Sequence, residues 1–125
     1  MTAVVDTSVL IDHLRGVPDA TALLRRHRDV GILHASEITR LEVLAGMRSG
    51  EEAQTRSLLS VLQWHPVDGS IADRAGQLGR TWLRSHRGID GADLAIAATA
   101  LALDVPLLTL NTRHFPMFEG LSRPY

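Results

Sequence analysis

The sequence contains no cysteine and no lysine. The first absence excludes disulfides, thiol catalysis and thiolate-bound zinc. The second excludes a phosphate-binding P-loop, which ends in Gly-Lys-Ser/Thr, and any Schiff-base chemistry. It also removes the lysine expected of receiver domains and of haloacid-dehalogenase-type phosphatases. All 13 basic residues are therefore arginine, set against 14 acids for a formal charge of −1. That balance argues only weakly against nucleic acid, because local basic clusters and a bound cation can place positive charge where it is needed. No stretch approaches the roughly 18 apolar residues of a membrane span. Met1-Thr2-Ala3 leads directly into Val4-Val5 and Asp6, without the basic start and longer apolar region of a signal peptide, so a cytoplasmic, membrane-free protein is expected.

What is there fits one domain spanning 1–125. Hydrophobic residues make up 45% of the chain and charged residues 22%, ordinary values for a chain long enough to bury a core. Ala3-Val4-Val5 reads as a buried strand ending at Asp6-Thr7-Ser8. Val9, Leu10, Ile11 and Leu14 form an apolar helical face stopped by Gly16 and Pro18. Asp19 is expected to cap a second helix, which carries Arg25-Arg26-His27-Arg28. Val30 to Ala35 reads as a second strand and Ser36 as the N-cap of a helix with Ile38, Leu41, Leu44 and Ala45 in helical register. Further helices are expected over about 51–62 and 71–85, with a short third strand over 64–67 between them. Asp90 opens a helix, 92–103, that is apolar almost all round and hence buried. Pro106 to Leu110 reads as a fourth strand, and a short edge strand is expected near Leu121. Strand runs that do not alternate in polarity, interleaved with helices, point to an α/β fold with a parallel sheet covered on both faces.

In such a sheet ligands gather at the carboxyl ends of the strands. Asp6 follows the first strand there, and Asn111 and Arg113 follow the fourth. Asp90 and Asp93 open the helix that leads into the fourth. Each acid also has a plainer reading. Asp6 suits a helix cap, and Asp90 with Asp93 suits a capping box. Glu42 is harder to explain away. It interrupts the face Ile38, Leu41, Ala45, where a buried, unpaired carboxylate costs several kcal/mol, roughly. Arg40 points away from it around the helix, so a cation is the natural partner. Carboxylates from distant stretches, converging without lysine, suit Mg²⁺ or Mn²⁺. The six histidines are scattered without helical pair spacing, which disfavours zinc. Asp12 is expected to pair with Arg15 at the surface, and Trp64 and Trp82 to serve the core or a subunit contact.

Four segments carry a family resemblance. Asp6-Thr7-Ser8-Val9-Leu10-Ile11-Asp12 resembles the opening motif of PIN-domain toxins of the VapC type. Thr39-Arg40-Leu41-Glu42-Val43-Leu44-Ala45-Gly46 is similar to their second motif, Asp93-Leu94-Ala95-Ile96-Ala97-Ala98-Thr99-Ala100 to the third, and Leu107 to Phe115 to the last. The motifs occur in family order and span nearly the whole chain. The resemblance implies a PIN-like three-layer fold, a parallel sheet of five strands in order 3-2-1-4-5, and a homodimer. It implies Mg²⁺-dependent RNA cleavage and inhibition by a cognate VapB-like antitoxin protein. It makes Asp6, Glu42 and Asp93 metal ligands, and gives Thr7 or Ser8 a role in orienting a ligand or phosphate. Many relatives carry a fourth acid at the position of Asn111 or His114. Asn111 offers a carbonyl oxygen instead, and Asp90 is a candidate for the missing charge. Arg113 is a candidate for stabilising charge on the phosphate, and Arg40, Arg84 and Arg87 are further candidate contacts. The competing readings are a non-catalytic metal-binding PIN-like interaction protein and another Mg²⁺-dependent phosphate-ester hydrolase.

Overall fold

The computed structural model describes residues 2–125. Four strands, β1 (Ala3–Val5), β2 (Leu33–Ser36), β3 (Gln63–His65) and β4 (Leu107–Leu108), form one sheet in the order β3-β2-β1-β4. All three pairings are parallel, with Val4 opposite His34 on one side and Leu107 on the other. Six helices connect the strands: α1 (Thr7–Leu14), α2 (Pro18–Val30), α3 (Glu37–Ala45), α4 (Glu52–Ser60), α5 (Gly69–Trp82) and α6 (Gly91–Leu103).

Successive side chains on a strand point to opposite faces, and β1 divides the core accordingly. Ala3 and Val5 join a cluster with Val9, Leu10, Leu23, Val43 and Leu59, beneath α1 to α4. Val4 joins Ile96, Ala97, Ala100, Leu107 and Phe115 on the other face. Every residue of β1 is fully buried, which explains why its sequence shows no polar alternation. Asp93 to Ala100 are buried in α6, as its all-round apolar composition requires. That helix ends at Asp104, whose left-handed backbone (φ 55°) terminates it.

The structure corrects several expectations. Among the described residues the sheet has four strands, and the segment around Leu121 is irregular. Leu121 instead packs its side chain against the cluster around Phe115. Val30 ends α2 and is exposed, so β2 starts at Leu33. Pro18 occupies the first turn of α2, with Val17 as N-cap, so Asp19 lies inside the helix. Leu41 is 60% exposed, so α3 buries the face of Thr39 and Val43 in place of the expected Leu41–Ala45 face. Ser36 does cap α3, accepting from Ile38 N at 3.2 Å.

The chain builds β1, β2 and β3 outward in one direction and then returns to lay β4 on the other side of β1. The strand order therefore reverses beside β1, and a crevice opens at the carboxyl ends of β1 and β4.

Candidate metal centre

Asp6 occupies the residue between β1 and α1. Its backbone N donates to Leu108 O at 2.8 Å, which fixes it against β4. It stands at the N-cap position of α1, yet its side chain makes no capping bond. Its Oδ2 instead accepts from Ser8 Oγ and from Thr109 Oγ1, each at 2.8 Å. Both hydroxyls are themselves held by the backbone after β4, Ser8 by Leu110 N at 3.1 Å and Thr109 by Asn111 N at 3.0 Å. The residue is 3% exposed, so these donors replace water around a carboxylate that would otherwise be costly to bury.

Glu42 reaches the same place from α3. Thr7 Oγ1 donates to its Oε1 at 2.6 Å. Arg40 does not approach it. That guanidinium pairs with Glu37 at 2.7 Å and lies 4.2 Å from the ring centre of Trp64, so it is engaged within the chain. Asp93 comes from the first turn of α6. Its backbone N donates to Asp90 Oδ1 at 2.9 Å and its Oδ2 accepts from Asp90 N at 3.1 Å, a reciprocal capping box. His114 Nδ1 lies 3.1 Å from the same oxygen. Burial pushes Asp93 up to about 6, the negative charges of Asp90 and Asp6 add to the shift, and the Asp90 N–H and the His114 ring oppose it.

These elements enclose a cleft of about 420 Å³ lined by Asp6, Thr7, Ser8, Ile11, Asp12, Glu42, Asp93, Leu110 and Asn111. Four of its wall residues are acids, and among the described residues no arginine or histidine lines it. Of the sequence candidates, Asp6, Glu42, Asp93, Asn111, Thr7 and Ser8 meet here. Asp90 and Arg113 do not line the cleft; both are exposed, Asp90 as the cap of α6 and Arg113 on the short 3₁₀ turn Thr112–His114.

Sequence reasoning missed Asp12, Thr109 and Thr39. Asp12 was assigned to Arg15, but Arg15 pairs with Glu51 at 2.8 Å and Asp12 accepts from Tyr125 Oη at 2.9 Å. The signal for Asp12 was available. Ser8, Ile11 and Asp12 stand at i, i+3 and i+4, one face of α1, and all three line the cleft. Thr39 and Thr109 fall inside the second and last motifs, but local sequence does not reveal their hydroxyl partners, which lie 32 and 103 residues away.

The donor chemistry fits a hard divalent cation, with carboxylate, hydroxyl and amide oxygens and no sulfur. Among the described residues no three acids or histidines are gathered as a ready-made ligand set. Each carboxylate is drawn instead to its own donor, Glu42 to Thr7, Asp6 to Ser8 and Thr109, and Asp93 to the α6 cap. Mutual repulsion favours that separation, and the charge of Asp6 adds a minor part to the rise of Asp93, behind burial and Asp90.

Comparison with known proteins agrees with this architecture. The model of the PIN domain family matches residues 3–119. The chain is 47% identical to Ribonuclease VapC19 of Mycobacterium tuberculosis over 122 residues, 97% of this chain and 98% of that protein. It is 44% identical to Ribonuclease VapC10 of the same organism, over 97% of this chain and 91% of the relative. Among solved structures, a toxin–antitoxin complex from Klebsiella pneumoniae contains a chain that superposes with a TM-score of 0.83 at 30% identity, over 98% of both chains.

Proposed function

Since the chain belongs to the PIN-domain family and, within it, to the VapC ribonucleases, we propose that it is a divalent-metal-dependent ribonuclease and the toxin of a toxin–antitoxin pair. The observation that carries the reading is the cleft wall, with four acids, Asp6, Asp12, Glu42 and Asp93, and, among the described residues, no arginine or histidine lining it. A phosphodiester cannot approach such a wall unless a cation intervenes.

Asp6, Glu42 and Asp93 would hold Mg²⁺, or Mn²⁺ in its place. When bound, such a cation supplies Lewis acidity toward water and phosphate. The chain's own residues do the rest. Ser8 and Thr109 both donate to Oδ2 of Asp6 and hold its carboxylate in place, as it would need to be held to bind a cation. The capping box fixes the Asp93 carboxyl to the helix start in the same way. Asn111 stands at the rim with an amide that can accept from water or from a ribose hydroxyl. Arg113 is exposed beside it in sequence and free to meet a phosphate. The relatives' names and the complex from Klebsiella pneumoniae support RNA as substrate and a VapB-like antitoxin protein as inhibitor. Action in the cytoplasm as a homodimer completes the proposal. Among the described residues no helix is long and apolar enough to cross a membrane.

Cleavage of a total RNA preparation by purified protein, with Mg²⁺ and with chelator, tests the reading. Cleavage that needs the cation and disappears in both Asp6→Asn and Asp93→Asn is the expected result. Undiminished cleavage by both variants rejects the assignment. Hydrolysis of a small phosphate ester with no action on RNA would identify a different hydrolase.

A further inference from the structure

Thr39 is a fully buried polar residue in α3 that does not line the cleft. A threonine inside a helix commonly returns its hydroxyl to the carbonyl four residues back, as Thr99 does to Ala95 O at 2.8 Å in α6. Thr39 is arranged differently. Its Oγ1 lies 3.1 Å from Thr7 Oγ1, across the contact between α3 and α1.

Counting protons gives this pair a direction. Thr7 carries one hydroxyl proton, and Glu42 Oε1 lies 2.6 Å from its oxygen. An ionised carboxylate only accepts, so the Thr7 proton goes to Glu42, and the bond between the two threonines must be donated by Thr39. Thr39 and Glu42 are three residues apart and share a side of α3. Thr7, on the first turn of α1, closes the triangle between them.

We infer that Thr39 is a positioning residue, whose hydroxyl fixes the Thr7 side chain in one rotamer and thereby the direction in which Glu42 presents its carboxylate to the cleft. Glu42 is only partly buried, and the residue before it on α3, Leu41, faces solvent. Its carboxylate needs an anchor, and the anchor is itself held from the core. Thr7 thus serves Glu42 directly, a role distinct from touching phosphate. The consequence for cation affinity rests on Glu42 being a ligand, as proposed above. The relay itself does not.

The full chain carrying Thr39→Val, which keeps the shape and removes the hydroxyl, is compared with wild type and with Thr39→Ser. The Thr7 χ1 population is measured by methyl scalar couplings in cation-free protein, and Mn²⁺ affinity by calorimetric titration. Wild type and Thr39→Ser are expected to hold Thr7 in one rotamer, while Thr39→Val averages it and binds Mn²⁺ about 10- to 100-fold more weakly. Thr39→Ala, which removes the hydroxyl by a different change of volume, is read the same way if the valine variant does not fold. A single Thr7 rotamer in the valine or alanine variant overturns the inference, as does a serine variant impaired as badly as valine. If wild type takes up no Mn²⁺ while the rotamer pattern is as expected, the cation reading of the cleft fails and the relay stands.

Discussion

Thr109 Oγ1 lies 2.8 Å from Asp6 Oδ2, so the residue after β4 holds the carboxylate after β1 across 103 residues of sequence. The hydroxyl is fully buried and also accepts from Asn111 N at 3.0 Å. Through it the loop after β4 and the acid after β1 become one rigid unit. Thr109→Val keeps the shape, but leaves Asp6 with one donor fewer and the Asn111 N–H without its acceptor. Leaving such groups unpartnered costs about 1–3 kcal/mol. The variant is expected to lose stability by that margin in urea unfolding and to cleave RNA about 10- to 100-fold more slowly. Thr109→Ser restores both. A valine variant as stable and active as wild type would remove Thr109 from the centre.

Asp93 gives a pH test of the same centre. Its folded pKa of about 6 lies above the ordinary 3.8, so the folded protein holds this proton more tightly than the unfolded chain does. Its contribution to stability is complete below about pH 4 and is lost as pH rises through about 6. In cation-free protein, the stability of wild type relative to Asp93→Asn is expected to fall between those limits. Mn²⁺, which takes the ionised carboxylate, is expected to restore wild type above pH 6 and to leave the variant unchanged. Denaturation midpoints at several pH values, with and without Mn²⁺, check both parts. A difference between the two proteins that is flat across the window contradicts the shift.

Much of the fold was legible because its strands are buried on both faces. Val4 and Val5 enter opposite cores, so the short unbroken apolar run identifies β1 without any alternation. The buried helix α6 is legible for the same reason. Phase and partners were harder to read. Ile38, Leu41 and Ala45 sit at plausible helical spacing, but the sheet takes the neighbouring stripe of Thr39 and Val43. Threonine buries as readily as an aliphatic residue once its hydroxyl has a partner, and that partner exists only in three dimensions. Likewise Arg15 stands three residues from Asp12, but finds Glu51 across a 36-residue separation. Asp6, Glu42 and Asp93 all reach the cleft, although the buried face that singled out Glu42 is exposed at Leu41 and Ala45. The hydroxyls that hold Asp6 and Glu42 required the folded chain.

A second pH dependence is expected at the opposite side of the sheet's central pair. His34 Nδ1 on β2 lies 2.7 Å from His65 Nε2 on β3. One ring must donate and the other accept, which requires a neutral acceptor. Burial, with the neighbouring His65 second, lowers the pKa of His34 below its ordinary 6.5. The unfolded chain then binds the proton more readily, so the stabilising contribution is present above about pH 6.5 and is lost as pH falls through the lower folded value. An NMR titration of the ring carbons is expected to give His34 a midpoint below 6.5. A midpoint at or above that value would mean that burial does not hold His34 neutral.

Thr55 supplies a prediction of opposite sign. It lies within α4, between the buried Leu58 and Leu59 turn and the helix start, and is fully buried. Its Oγ1 is the one buried side-chain oxygen or nitrogen among the described residues without a hydrogen-bond partner. Thr39, Thr99 and Thr109 each place their hydroxyl on another oxygen, so the contrast is internal to this core. An unpartnered hydroxyl in an apolar site costs roughly 1–3 kcal/mol on the scale of protein mutations. Valine has almost the same shape and a similar helix propensity, so Thr55→Val removes the polar atom without opening a cavity or straining the helix. The variant is expected to be more stable by about 1 kcal/mol, which for a domain of this size raises the melting temperature by roughly 3–6 °C. RNA cleavage should be unchanged, because Thr55 does not line the cleft. A fall in melting temperature would mean that this hydroxyl has a partner in solution, and that α4 packs on the core through it.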